Sequence, residues 1–208
     1  MKFLYMSCLL GMMAVASTCD RDVPINNIDD IPTPVPADSA YAHAFAKLDG
    51  TWQGTFYIYR DSTPGPRIEA QLKPPAPGFW RKPDIYLTDS LLVTQQYQSI
   101  TPFFQEVTIT DYYPQRDETV VSKGVNKVQN GRLWCVVRKP DETVIHRGQL
   151  QGTNTIIWSR DERNPLKVEY FQETVEDSRY TIRGWGYYNG ANPDKMPPFW
   201  FRATYVKQ

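Results

Sequence analysis

A series of segments with alternating apolar and polar residues runs from residue 51 to residue 206, and it constrains the fold more than any other feature. The first segment, Thr51–Tyr59, places Trp52, Phe56 and Ile58 on one face. A period of two is typical of a β-strand whose faces meet different surroundings. The other predicted strands are Tyr86–Ser99, Phe104–Tyr113, Glu118–Val128, Arg132–Lys139, Thr143–Gln151, Thr155–Arg160, Lys167–Thr174, Arg179–Tyr188 and Phe199–Val206.

The links between most of these strands are short and contain turn residues. Asn130-Gly131 carries the strongest hairpin signal, because Asn-Gly favours the tight turn that joins two antiparallel strands. Strands joined in this way form a meander, and such a sheet hides its edges completely only by closing into a barrel. We therefore predict an all-β fold over residues 38–208, an antiparallel meander closed into a single barrel of about eight to ten strands.

Two segments outside the strands are informative. Ala37–Leu48 is rich in alanine, contains the capping residues Asp38 and Ser39, and predicts one short helix. Arg60–Pro83 contains six prolines and interrupts the strand pattern. A loop of this length without structure of its own is usually functional or disordered, and its Phe79-Trp80 pair indicates docking.

The composition excludes several classes of function. Lys and Arg number 23 and Asp and Glu number 23, so the chain lacks the basic excess expected of a nucleic-acid-binding protein. The three cysteines show no Cys-x-x-Cys spacing, and the two histidines have no ligand-spaced partners, so no metal site is predicted. The sequence also lacks a Gly-x-Ser-x-Gly motif, and we assign no catalytic residue.

Residues 1–19 predict a signal peptide, because Lys2 precedes an apolar run, Phe3–Ala16, that is too short to span a membrane comfortably. Two kinds of processing are open. Ala14-Val15-Ala16 suits ordinary signal-peptidase cleavage, whereas Ala16-Ser17-Thr18-Cys19 resembles a bacterial lipobox, in which Cys19 is lipidated.

Residues 20–37 predict a disordered tether, because they are rich in Asn, Pro and acidic residues and show no packing pattern. A tether of this kind suits a domain that is held by a lipid. We therefore expect an exported lipoprotein of the bacterial cell envelope, periplasm-facing or on the cell surface. Its only contact with the membrane is expected to be the lipid anchor.

The short helix, the Gly50-Thr51-Trp52 start of the first strand, the long loop and the meander resemble the calycin superfamily of lipocalins, fatty-acid-binding proteins and small bacterial relatives. The resemblance implies that Trp52 closes one barrel end and that Arg202, on the last strand, packs over it as a clamp. It also implies a loop flap over the open mouth and a small apolar or amphipathic ligand inside. Some similar barrels hold haem through one His, which makes His146 a candidate.

The candidate ligand contacts are otherwise aromatic and charged residues of the second half of the chain. His146 shares a face with Val144 and Leu150 and is predicted to point inward, although a His satisfied by a backbone carbonyl is the simpler alternative. The complete set of candidates is His146, Trp158, Tyr170, Arg183, Trp185, Tyr187 and, from the long loop, Trp80.

Period two leaves the orientation of the strand Arg179–Tyr188 open. If Arg183 and Trp185 face inward, they form an anion-binding wall. If Gly184 and Gly186 face inward instead, they leave room for a ligand or allow close backbone approach.

Glu169 and Glu173 also share a strand face. Paired acids in a cleft could cleave glycosides, but this spacing predicts a solvated outer face. The first functional hypothesis is a ligand-binding barrel, which an internal cavity of about 300 Å³ or more would favour. The alternative is a β-sandwich surface module that binds glycan or protein through exposed aromatics, and a barrel lyase, isomerase or hydrolase ranks last.

Overall fold

The computed structural model describes residues 28–63, 75, 78–163, 166–188 and 191–208. Within these residues no helix is long and apolar enough to cross a membrane. Ten strands account for most of the described chain. They are β1 (Gly50–Asp61), β2 (Ile85–Thr101), β3 (Phe104–Tyr113), β4 (Glu118–Gln129), β5 (Arg132–Arg138), β6 (Thr143–Gln151), β7 (Thr155–Arg163), β8 (Leu166–Glu176), β9 (Arg179–Tyr187) and β10 (Phe199–Lys207).

The strands form one closed antiparallel barrel. Each strand pairs with its sequence neighbours, and β1 pairs with β10 to complete the circle. The predicted fold class and every predicted strand are confirmed, and the β-sandwich alternative is excluded because the strand order has no second sheet. Asn130 and Gly131 both have positive φ, 55° and 69°, as the type I′ turn between β4 and β5 requires.

Short hairpins and the N-terminal segment lie at the same end of the barrel, and together they close it. The predicted helix before β1 is present as two short 3₁₀ helices, Pro36–Tyr41 and Ala46–Leu48, separated by a turn. Phe45 and Leu48 are each 2% exposed, so the apolar side chains of this segment enter the barrel. Residues 36–48 are called the plug below.

Trp52 is fully buried where the plug meets β1. Its indole Nε1 donates a hydrogen bond of 2.6 Å to the carbonyl oxygen of Leu48, and its ring meets Tyr180 edge-on. On the other side of the plug, Phe45 stacks on Trp158 with ring centroids 6.3 Å apart. The Gly-x-Trp motif therefore does mark the closed end of the barrel.

Two buried polar side chains attach the plug to the strands. Gln105, which is 0% exposed, donates through Nε2 to the carbonyl of Phe45 and to Asp49 Oδ1. Asp38, which is 1% exposed, accepts hydrogen bonds from the backbone N–H groups of Gly131 and Val35. The plug is thus held by directional bonds as well as by apolar packing, because each buried polar group needs a partner.

The N-terminal chain contacts the outside of the barrel before it reaches the plug. Ile28 is 6% exposed and packs with Phe104, Val125 and Trp134 on the outer face of β3, β4 and β5. The predicted tether, residues 20–37, is therefore in contact with the barrel at Ile28. Residues 1–27, including the predicted signal peptide and Cys19, lie outside the described residues.

The predicted clamp of Trp52 and Arg202 is wrong in its second member. Arg202 is exposed and lies between the buried Phe201 and Ala203, so strand alternation places it on the outer face. The cation over the Trp52 ring is Lys207, with Nζ 5.4 Å from the ring centroid. Lys207 lies opposite Trp52 in the β1–β10 register, at the end of the last strand, where its stem can fold over the plugged end.

Replacing Lys207 by Ala should therefore destabilise the protein more than replacing Arg202 by Ala. An exposed cation–π contact contributes about 0.5–1 kcal/mol, which is the loss expected for Lys207→Ala in the free energy of unfolding. Arg202→Ala is the matched control, since it removes a cation from the outer face of the same strand. Urea unfolding followed by tryptophan fluorescence measures both, and an equal loss in the two variants would contradict the assignment of Lys207.

Candidate functional site

The barrel encloses a cavity of about 910 Å³ that opens at the end opposite the plug. Its wall includes residues of all ten strands or of the loops next to them. The apolar part of the lining contains Phe56, Ile58, Leu91, Val93, Val107, Ile109, Val137, Val144, Phe171, Ile182 and Phe201. A volume of this size lies within the range of small-molecule sites, which is about 300–1,000 Å³.

Polar side chains interrupt the apolar wall, and the best connected of them are on β6, β8 and the end of β9. His146 Nε2 lies 2.8 Å from Glu169 Oε2, and the Tyr188 hydroxyl donates to Glu169 Oε1 at 2.7 Å. His146 and Glu169 are 12% and 8% exposed at their side chains. Because strand neighbours alternate, Glu169 reaches the interior together with Phe171 while Tyr170 points outward.

Arg160 on β7 lies behind this cluster and is 3% exposed. Its guanidinium contacts Glu169 at 3.6 Å, donates to Glu142 at 3.0 Å and forms two hydrogen bonds with Glu162. Lys167 also forms an ion pair with Glu142. The network runs from the open rim to the buried carboxylate of Glu169, so the charges inside the wall compensate one another.

Glu169 is ionised in this environment. Burial alone would raise its pKa, but the hydrogen bonds from His146 and Tyr188 and the charges of His146 and Arg160 outweigh burial and lower the pKa to about 2. An ionised carboxylate only accepts hydrogen bonds, so His146 Nε2 must carry the proton in the bond to Glu169. The hydrogen bond thereby fixes the orientation of the ring.

Glu173 lies four residues after Glu169 on the same face of β8, deeper in the barrel, and its pKa is shifted in the opposite direction. Burial raises its pKa, although the indole Nε1 of Trp158 donates to it at 2.8 Å. Glu173 is half-buried, and part of its side chain lines the cavity. The prediction that Glu169 and Glu173 form a solvated outer face is therefore wrong, because Val168 and Tyr170 take that side of the strand.

Cys135 on β5 is the cross-strand neighbour of His146, and both side chains line the cavity. This arrangement could not be read from the linear sequence. Burial, together with the Glu173 and Glu169 carboxylates, raises the pKa of the thiol far above its usual range, so the sulfur is not a thiolate nucleophile. In the part of the chain that the structure describes, no cluster of His, Cys, Asp and Glu could hold a metal ion.

The structure brings only some of the sequence-predicted site residues into the cavity. His146 and Trp158 line it, as their inward positions predict. Tyr187, at the end of β9, is 2% exposed and also belongs to the lining near the rim. The assignment of these three as ligand contacts stays a prediction.

The predicted contacts Tyr170, Arg183 and Trp185 lie on the outer wall. Tyr170 and Trp185 stack on each other there, with centroids 5.9 Å apart and parallel rings. Arg183 is directed to the carbonyl oxygen of Pro75 and to Gln172 Oε1, both at 3.4 Å. The anion-binding wall considered for β9 is thus wrong, because the glycine face is the interior one.

Gly184 and Gly186 serve close approach on that inner face. A Cβ at Gly184 would lie 2.2 Å from the carbonyl oxygen of Tyr170, and one at Gly186 would lie 2.8 Å from the hydroxyl of Tyr188. The first distance shows that β9 lies too close to β8 at this point for any side chain larger than that of glycine. The second shows that Gly186 leaves the space in which Tyr188 reaches Glu169.

The described part of the long loop docks on the outside of the barrel. A 3₁₀ turn, Phe79–Arg81, places Trp80 on Tyr59, with centroids 4.8 Å apart, and Phe79 on Trp200, 4.7 Å apart. Trp80 is therefore a contact of the outer wall and not of the interior. The part of the predicted mouth flap at residues 64–74, 76 and 77 lies outside the described residues.

The predicted ligand contacts did not include three residues that line the cavity, Glu169, Glu173 and Tyr188, nor Arg160, which lies behind them. A signal existed for Arg160, since Ile156, Trp158 and Arg160 follow one strand face. On β8, Glu169, Phe171 and Glu173 alternate on one face. The two charged residues predict that this face is exposed to solvent, whereas the aromatic residue between them indicates that it points inward.

The similarity of this chain to known proteins is one of structure and not of sequence. No protein-family model matches the chain, and no curated protein matches it. Among solved structures, Rv2717c from M. tuberculosis aligns over 85% of this chain and 99% of its own, with 12% identity and a TM-score of 0.48. EF1p2_mFAP2b bound to DFHBI aligns over 81% and 99%, with 12% identity and a TM-score of 0.40. The closed ten-stranded antiparallel barrel is the fold class that the sequence predicts.

The ionised state of Glu169 predicts a specific dependence of stability on pH. A carboxyl whose pKa is lowered on folding stabilises the protein above its unfolded pKa, and this contribution is lost as the pH falls from about 4.5 to about 2. Glu169→Gln should destabilise the protein by about 3 kcal/mol at neutral pH, because Arg160 and His146 lose their partner. The difference from the unmodified protein should shrink strongly toward pH ~2.

Denaturant unfolding at a series of pH values between about 7 and 2 measures this difference. Glu118→Gln is the matched control, since Glu118 forms an exposed ion pair with Arg116, and such pairs contribute little. A pH-independent difference between Glu169→Gln and the unmodified protein would contradict an ionised Glu169.

Proposed function

We propose that this protein binds a small amphipathic molecule inside its barrel. The observation that carries the proposal is the cavity of about 910 Å³, which is open at one end and closed by the plug at the other. A cavity lined by apolar residues with a few placed polar groups is the usual form of a small-molecule site.

The lining supports an amphipathic ligand over a purely apolar one. The walls contributed by β1, β2 and β3 include Phe56, Leu91 and Val107, which favour a hydrocarbon or aromatic body. The opposite wall offers Glu169 and Glu173. A ligand that lacked polar groups would desolvate these carboxyl groups without compensating them, which costs free energy.

Haem is not part of the proposal. One ring nitrogen of His146, Nε2, already donates a hydrogen bond to the ionised Glu169. Binding a metal at Nε2 would leave the buried carboxylate without one of its donors. We therefore propose an organic ligand without a metal centre, and we propose no reaction for the cavity.

A blocked cavity should abolish binding of an amphipathic probe. Val93 is 4% exposed and lines the cavity, so Val93→Trp fills part of the space that the ligand would occupy. We expect affinity for the neutral probe N-phenyl-1-naphthylamine to fall at least about tenfold, or ~1.4 kcal/mol. Probe fluorescence, which rises in apolar surroundings, measures the binding.

Val121→Trp is the matched control, because Val121 is 55% exposed and the same substitution there leaves the cavity unchanged. Thermal unfolding of both variants establishes that they remain folded. Equal probe binding by Val93→Trp and Val121→Trp would place the probe on the outer surface and contradict the proposed function.

We further propose that the barrel is exported and held at the cell envelope by a lipid on Cys19. Support comes from the apolar N-terminal run, the lipobox-like residues before Cys19 and the proline-rich segment that follows. This arrangement would keep the barrel near a membrane, which is a source of amphipathic molecules.

Replacing Cys19 by Ala should release the protein from the membrane fraction of a bacterial host, because the lipid attachment point is lost. Cys8→Ala is the matched control, since Cys8 lies within the predicted signal peptide and should leave attachment unchanged. Fractionation and the intact mass of the mature protein measure both. Membrane retention of Cys19→Ala without an added lipid mass would contradict the anchor.

A further inference from the structure

We propose that the ligand carries a protonated amine, and that Glu173 and the aromatic side chains around it bind this group at the bottom of the cavity. The inference rests on the proposed function, since it names the class of ligand for the same cavity. It is carried by the position of Glu173, by the aromatic residues beside it and by one hydroxyl group without a partner.

Glu173 differs from the other buried carboxylate, Glu169, in its partners. Glu169 has two hydrogen-bond donors and contacts Arg160 as well as His146. Glu173 accepts hydrogen bonds from the Trp158 indole and the Tyr180 hydroxyl, which are neutral donors, and within the described residues no Lys or Arg forms an ion pair with it. His146 acts on Glu173 through its charge, but its Nε2 is directed to Glu169.

Of the remaining acids of the lining, Asp61 lies at the rim and accepts a hydrogen bond from the backbone N–H of Thr63, and the other two have cations close to them. Glu142 pairs with Arg160 and Lys167, and Asp111 lies near Lys139. Glu173 is thus the interior carboxyl whose charge is left for a ligand to compensate. A fatty acid would bring a second carboxylate toward it, and two like charges in a poorly solvated cavity repel strongly.

Aromatic side chains surround Glu173 and suit a cation. Trp158, Tyr97, Phe171 and Tyr205 line the cavity together with it. The face of an aromatic ring attracts an ammonium group, and the attraction grows when the site excludes water. A carboxylate at the centre of such rings can bind a primary, secondary or tertiary amine by both a hydrogen bond and an ion pair.

Tyr205 supplies an independent sign of a missing ligand. The residue is 1% exposed, and its hydroxyl has no hydrogen-bond partner among the described residues. A buried polar group without a partner costs free energy, and a bound small molecule is one way to satisfy it. An ammonium N–H directed at this oxygen would do so beside Glu173.

The two states of Glu173 also follow from this assignment. Without a ligand, burial favours the neutral carboxyl, which explains its raised pKa. A bound ammonium group supplies the missing positive charge and favours the carboxylate.

Competition among three probes of equal chain length tests the inference at pH ~7, where an alkylamine is cationic and a fatty acid is anionic. Decylamine, decan-1-ol and decanoate are titrated against bound N-phenyl-1-naphthylamine. We expect decylamine to bind at least about tenfold more tightly than decan-1-ol, with decanoate weakest.

Glu173→Gln should remove the preference for decylamine and leave decan-1-ol binding unchanged, because the amide keeps the shape but cannot be charged. Tyr205→Phe removes the free hydroxyl alone and should weaken decylamine binding by a smaller factor. Glu106→Gln, at an exposed position of β3, is the control and should change neither.

The outcomes separate this inference from the proposed function. If decan-1-ol or decanoate binds at least as tightly as decylamine, the amine assignment is overturned while the ligand-binding cavity stands. If Glu173→Gln weakens all three compounds equally, the residue has a structural role and the assignment is likewise overturned. If neither the fluorescent probe nor any of the three compounds binds, the proposed function itself fails.

Discussion

The closure of ten strands into one barrel is the constraint on which the rest of the structure depends. A barrel of about eight strands is narrow enough for its own side chains to fill, whereas added strands widen the interior. With ten strands, the inward residues of opposite walls no longer meet across the centre, and a cavity of about 910 Å³ remains. Closure also requires a plug, which the chain supplies before β1 in the segment that carries Phe45 and Leu48.

The charged residues inside the barrel line the cavity or lie directly behind its lining. A buried ion pair is weak evidence for stability, because desolvation offsets most of its electrostatic gain. The barrel nevertheless places Arg160, Glu169 and His146 behind the lining and connects them to the rim. Their mutual compensation fixes the geometry of the wall and leaves Glu173, deeper on the same strand as Glu169, without a matching cation.

The strands, the Asn130-Gly131 hairpin and the closed end at Trp52 could be predicted because each depends on local sequence. Alternation of side chains, turn conformation and a bulky ring at the start of a strand act over a few residues. Which face of a strand points inward could not be settled in the same way, since a shift of one residue exchanges the two faces. Arg183 and Trp185 were therefore left open, and the structure places both outside.

Contacts between distant segments were the other limit of the sequence. Arg202 looked suitable as the clamp because it lies on the last strand, but only the β1–β10 register shows that Lys207 stands opposite Trp52. The proximity of Cys135 and His146 likewise appears only once β5 and β6 are paired. For Glu173, charge in the sequence suggested solvent, whereas its inward position follows from Phe171 and Val175 on the same face. This carboxyl is kept there by strand geometry, among aromatic rings and with no Lys or Arg ion pair within the described residues, and that is the ground for proposing a positively charged ligand.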